Sequence, residues 1–182
     1  MSRSTVPVKI QRHLVPFFFQ EFEGIESVYL NKKVKAAKIT TNKPIGKIIR
    51  LLMEKPEGSG PIKVDKFWMF LSIQDRERSK DFFGNMYKCV NGSNSFLKLP
   101  EAGTRLLNEY LEDIFRTSLV SYIEGHMADN SKAEVRRGID LFLVKYDLYE
   151  EGFGIESLRR YYYRVMEEGH FLKRLQSSGK VK

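Results

Sequence analysis

The chain has a single cysteine, Cys89, among its 182 residues, so it can form no internal disulfide and no cysteine-rich zinc site. Histidine is almost as scarce. His13, His126 and His170 stand far apart, with neither the His-x-x-x-His nor the His-x-His spacing that places two imidazoles on one metal. Long apolar runs are missing too: the run at residues 14–19 is far too short to cross a bilayer, and the polar opening at residues 1–13 has no export-leader character. There are only six prolines, no internal repeat and no low-complexity tract. These absences point to a soluble cytoplasmic protein with no membrane partner, no metal and no cofactor.

Phosphate-loop chemistry is excluded by the same kind of gap. Gly46-Lys47 is followed by Ile48 instead of Ser or Thr, and Thr41 stands where the first glycine belongs. Cys89, beside Val90 and Asn91, has no visible activating base. Asp75, Glu77 and Lys80 lie in a loose nuclease-like order, and Glu109, Glu112 and Asp113 share a helix face, but two-metal hydrolysis needs carboxylates placed to clamp both ions. The sequence therefore points to a binding protein more than to an enzyme.

What is present is apolar residue and positive charge. The 42% hydrophobic and 13% aromatic content suits one folded domain, or a domain with an appendage. A chain of this length buries roughly 70% of its unfolded surface without needing cross-links. Net charge is +8 and unevenly spread: residues 1–98 hold 18 Lys and Arg against 9 Asp and Glu, whereas residues 99–182 hold 13 against 14. Between residues 32 and 55, Lys32, Lys33, Lys35, Lys38, Lys43, Lys47, Arg50 and Lys55 face only Glu54. Such a block raises the local potential and attracts phosphates or acidic surfaces; the plainer alternative is a solvated face.

Val6, Val8 and Ile10 alternate with polar residues, the period of a half-buried strand. The run at residues 14–19 fits a buried strand or the start of a helix, with Pro16 opposing a central strand. A second extended stretch covers residues 28–41. Residues 42–55 read as a helix capped by Thr41 or Asn42, with Pro44 in its first turn, Ile45, Ile48, Ile49 and Leu52 on one face, and Lys43, Lys47 and Arg50 on the other. Residues 62–74 are the most strand-like segment and belong at the centre of a sheet; residues 87–99 suggest a hairpin turning at the Asn91-Gly92 pair.

From Pro100 the character is helical: one long helix to about Ile123 with a stop near Gly125, then two amphipathic helices within residues 131–169. Ser131 and Glu134 form a capping-box pattern, Val135, Ile139, Phe142 and Tyr146 line one helix, and Ile155, Leu158, Tyr162 and Val165 line the last, which Gly169 would end. The expected fold is α+β: an N-terminal antiparallel sheet with one or two helices over residues 1–98, then a three-helix segment over residues 99–182 with a helix-turn-helix-like pair, the two possibly forming one continuous domain.

Two constellations suggest nucleic acid. In the last helix, Arg159, Arg160 and Arg164 interleave with Tyr161, Tyr162 and Tyr163, and the outward Arg160, Tyr163 and Arg164 have the reach to touch a duplex. Against this, the turn is longer than a DNA-reading pair uses, Glu150, Glu151, Glu156, Glu167 and Glu168 surround the arginines, and a plain helical bundle gives the same pattern. The second constellation is the basic segment, where Lys32, Lys33, Lys35, Lys43, Lys47 and Arg50 form a phosphate-tracking surface without sequence readout. The expected function is nucleic-acid binding, most simply to double-stranded DNA, in a regulatory or architectural role. A protein-contact module or homodimer using the aromatic last helix is the alternative, and a metal-dependent phosphodiester hydrolase the third.

Overall fold

The computed structural model describes residues 3–40, 42–54, 68–74, 98–129 and 134–167. The expected hairpin at residues 87–99, the Ser131 cap, the Gly169 stop and the Asp75–Lys80 run fall wholly or largely outside these segments. In chain order the elements are strand β1 (Arg3–Lys9), helix α1 (Leu14–Glu21), strands β2 (Gly24–Tyr29) and β3 (Lys32–Ile39), helix α2 (Pro44–Leu52), strand β4 (Trp68–Gln74), and helices α3 (Glu101–Asp129), α4 (Val135–Lys145) and α5 (Ile155–Glu167). The fold is α+β, with a four-stranded sheet first and helices after it. The chain divides into two compact units, residues 1–111 and 112–182, with the division inside α3.

The sheet order is β1-β4-β3-β2. β4 is an interior strand, as its apolar composition suggests, and Pro7, which has no N–H to give, sits on the edge strand β1. β1 pairs antiparallel with β4, and β2 with β3, but β3 and β4 run parallel, with Ala36 opposite Phe70 and Ile39 opposite Ile73. The sheet is thus mixed where the strand pattern alone predicts antiparallel pairing. A parallel neighbour requires a long crossover, and α2 lies in the one that joins these strands.

Residues 28–41, expected as one extended stretch, belong to a hairpin. Its two-residue turn is Leu30-Asn31, with φ of 49° and 61°. Positive φ at both central positions is what a type I′ turn needs, and asparagine suits it. Leucine does not: a branched residue held left-handed costs about 1–2 kcal/mol.

The helix-bearing face of the sheet buries Val6, Val8, Met69, Leu71, Ile73, Ala37 and Ile39 with Leu14, Phe17, Ile49, Leu107 and Leu111 in the same core. Asn108 of α3 secures the β1–α1 connection: its Oδ1 accepts from the Gln11 N–H at 2.8 Å, and its Nδ2 donates to the Lys9 carbonyl at 3.1 Å. On the other face, Thr5 of β1 and Ser27 of β2 share a hydrogen bond although the two strands are opposite edges, so the sheet coils strongly. Arg3 donates there to the Ser72 hydroxyl at 2.8 Å and to the Ile39 carbonyl at 3.3 Å, so the buried Ser72 hydroxyl has a partner.

In the second unit the C-terminal half of α3 contributes Phe115, Leu119 and Ile123, α4 contributes Ile139, Phe142 and Leu143, and α5 contributes Leu158, Tyr162 and Val165. The ring of Phe142 meets those of Phe115, Tyr122 and Tyr146 at centroid distances of 5.6, 5.7 and 4.6 Å.

α3 runs through Gly125 to Asp129, past the expected stop. Leu119, Val120 and Ile123 are buried up to the turn before the glycine, and His126 and Met127 are half-buried after it, so the one weak helix former does not end the helix. A Cβ at Gly125 would meet nothing within 4 Å. Gly125→Ala is therefore expected to stabilise the protein by about 0.5–1 kcal/mol, read as a higher denaturant midpoint with unchanged slope.

Candidate nucleic-acid interface

Each unit carries one of the two basic constellations. In the sheet unit, Lys32 and Lys33 open β3 and Lys35 follows. Because successive side chains on a strand alternate, Lys32 lies on one face of the sheet, and Lys33 and Lys35 on the other. The strand therefore does not present its lysines as one row. Lys35 places its ammonium 4.5 Å from the centroid of the Phe19 ring, and Lys38 is bonded to Glu23 at 2.5 Å. Lys33 pairs with Glu26 at 3.5 Å, with both side chains highly exposed.

α2 presents its cations differently. Lys43 stands at its N-cap with no side-chain cap bond, so the expected Thr41 or Asn42 cap is displaced by one position. Gly46 and Ile49 are buried, and the spacing of Lys43, Lys47 and Arg50 groups the three along one side of the helix, with Lys43 and Lys47 exposed and Arg50 half-buried at the edge of the buried side. Arg50, in the last turn, also suits the negative end of the helix dipole. Among the described residues, Lys32, Lys43, Lys47 and Arg50 have no ion pair and no side-chain hydrogen bond. A shallow pocket of about 250 Å3 brings Lys38 and Lys43 to one rim, but Glu21 and Glu23 line it as well.

In the helical unit the arginines are largely engaged. Arg159 pairs with Glu156 at 3.3 Å, Arg137 with Asp140 at 2.7 Å, and Arg116 with Glu112 at 2.6 Å. The guanidiniums of Arg116 and Arg164 lie 5.1 and 5.6 Å from the centroid of the Tyr161 ring. Arg160 and Tyr163 remain exposed on the outer side of α5, and Tyr163 touches the Tyr162 ring edge-on at 5.6 Å. The α4–α5 connection spans residues 146–154, holds a 3-10 turn at Tyr149–Glu151, and has Asp147 and Gly152 at positive φ. It is longer than the three- or four-residue turn of a DNA-reading helix pair. Sequence reasoning missed Arg116, whose distance from α5 in the chain hides its approach to Tyr161.

Tyr162 is buried, and that burial, with help from Glu124 and Tyr163, raises its phenol above the ordinary value of 10.0. The sign follows directly. Below pH 10.0 both states hold the proton and the contribution is constant; above it the unfolded chain ionises first, so stability falls as pH rises toward the folded value. Tyr162→Phe is expected to flatten this alkaline loss, measured as unfolding midpoints from about pH 9 to about pH 11. The hydroxyl of Tyr149 is likewise held protonated by its bond to Asp140.

Among the described residues no three His, Cys, Asp or Glu side chains gather closely enough to hold a metal ion, and no helix is long and apolar enough to cross a membrane. On α3, Glu109 is 3.9 Å from Arg105, and Glu112 is tied to Arg116. No family model, no curated protein and no solved structure matches the chain.

Proposed function

We propose that the protein binds nucleic acid, most simply duplex DNA in a regulatory or architectural role in the cytoplasm, through the sheet unit. The observation that carries this reading is the set of cations on α2. Lys43, Lys47 and Arg50 lie within two turns of one helix and, like Lys32, have no carboxylate partner among the described residues, whereas on α5 Arg159 is paired with Glu156 and only Arg160 and Arg164 have no carboxylate partner. A cation without a protein partner loses less when it meets a phosphate, and the counterions it releases drive association. α5 would serve as a secondary contact through Arg160, Tyr163 and Arg164.

The test is fluorescence anisotropy of labelled duplex and single-stranded DNA across a salt series. Each phosphate neutralised contributes about −0.9 to the slope of log K against log salt on a duplex, so the four unpartnered cations of the sheet unit by themselves predict about −3.6, and each further contact adds about −0.9. A slope near zero, or no binding at low salt, sinks the reading. The second reading is a homodimer or protein contact through α5, favoured by Tyr163 and Met166, both large and exposed on that helix.

A further inference from the structure

The tip of the β2–β3 hairpin carries an arrangement that packing does not explain. Leu30 is 48% exposed and left-handed, at a turn where asparagine or glycine would sit without strain. Val28, just before it, is equally exposed at 48%. Burial therefore cannot be what keeps a leucine there. Strained residues that the core does not require cluster at functional sites.

The charges beside the tip are arranged in a particular way. Tyr29 pairs with Lys32 and Val28 with Lys33 across the hairpin. Being consecutive on β3, Lys32 and Lys33 project to opposite faces of the ribbon. An apolar tip thus has one ammonium on each flank. A duplex offers a complementary form where a base step opens: the apolar faces of the stacked bases, with a phosphate strand along each side of the groove. Lys32 has no partner among the described residues, and the Lys33–Glu26 pair at 3.5 Å, with both side chains 82% exposed, is of the weak kind that yields to a phosphate.

We propose that this hairpin is a wedge for duplex DNA: Leu30 enters the groove and partly opens a base step, while Lys32 and Lys33 each take a phosphate on one side. The inference rests on the nucleic-acid reading above and deepens it from phosphate tracking to bending. Apolar side chains inserted in this way kink a duplex by about 20–90° toward the major groove.

The decisive experiment pairs anisotropy with energy transfer across an end-labelled duplex, using the full chain and Leu30→Asn. This variant relieves the turn, so its melting temperature is expected to equal or exceed that of the parent, and misfolding cannot explain a loss. The parent should bind and shorten the end-to-end distance. Leu30→Asn should keep the salt dependence, bind about three- to tenfold more weakly, and lose most of the shortening. Equal shortening by both proteins overturns the wedge and leaves the nucleic-acid reading standing. Absence of salt-dependent binding by the parent overturns both. Unchanged shortening with loss of self-association in Leu30→Asn also overturns the wedge, and assigns the tip to a contact between copies.

Discussion

Phe142→Ala lowers the unfolding free energy by about 3–5 kcal/mol, the largest loss expected from any single core truncation in the helical unit. Phe142 has no exposed surface and lies on α4 at the centre of a four-ring cluster with Phe115, Tyr122 and Tyr146. Removing its ring deletes the transfer energy of a large side chain and leaves a cavity lined by three aromatic rings. Tyr122 and Tyr146 are further held beside Lys145, whose ammonium lies 5.2 and 5.0 Å from their centroids, so the lining has little freedom to collapse. Phe142→Leu, which fills much of the space, is expected to recover more than half of the loss. Denaturant unfolding of the full chain, followed by far-UV circular dichroism, checks both variants. A loss under about 1 kcal/mol for the alanine variant would mean that the cluster is not the centre of the unit's packing.

The helical unit was legible because its signal is local. Ile155, Leu158, Tyr162 and Val165 repeat at helical spacing, as do Val135, Ile139, Phe142 and Tyr146, and the structure buries all of these except Val135 and Ile155, which stand half-buried at the first residue of each helix. The sheet was only half legible. Alternation marked β1 and the composition of β4 marked an interior strand, but the parallel pairing of β3 with β4 depends on where the α2 crossover delivers the chain, which no strand pattern encodes. The Leu30-Asn31 turn was hidden because leucine is not a turn former, and one overlooked turn merged part of β2 with β3 into a single extended stretch. Gly125 misled in the opposite direction, since a single glycine weakens a helix without having to end it.

For the candidate interface, spacing along α2 correctly grouped Lys43, Lys47 and Arg50, because three and four residues return to the same side of a helix. The Arg159–Glu156 pair was also within reach of sequence, being three residues apart on α5. The Lys38–Glu23 pair was not, because it forms through the pairing of β2 with β3. Sequence counts charges; only the fold shows which of them are already answered. That distinction is why the proposal rests on α2 more than on α5.

The double variant Lys47→Glu, Arg50→Glu is accordingly expected to cost more DNA affinity than Arg159→Glu, Arg160→Glu. Both pairs reverse the same number of charges. On α2 neither cation has a partner among the described residues, so two phosphate contacts are lost outright and two new carboxylates face the backbone of the duplex. The sheet unit's share of the salt slope should fall from about −3.6 to about −1.8, and affinity near physiological salt by about 10- to 100-fold. On α5, Arg159 must give up Glu156 before it meets a phosphate, so the slope should change by less than on α2. The fold should survive the α2 change. Lys47 is exposed, Gly46 and Ile49 remain buried, and the loss of Arg50 from the last helical turn costs about 0.3–1 kcal/mol. Anisotropy across the salt series with all three proteins decides between the units. A larger loss from the α5 pair would place the phosphate contacts on the arginine–tyrosine helix, and unchanged slopes in both variants would remove these cations from the interface altogether.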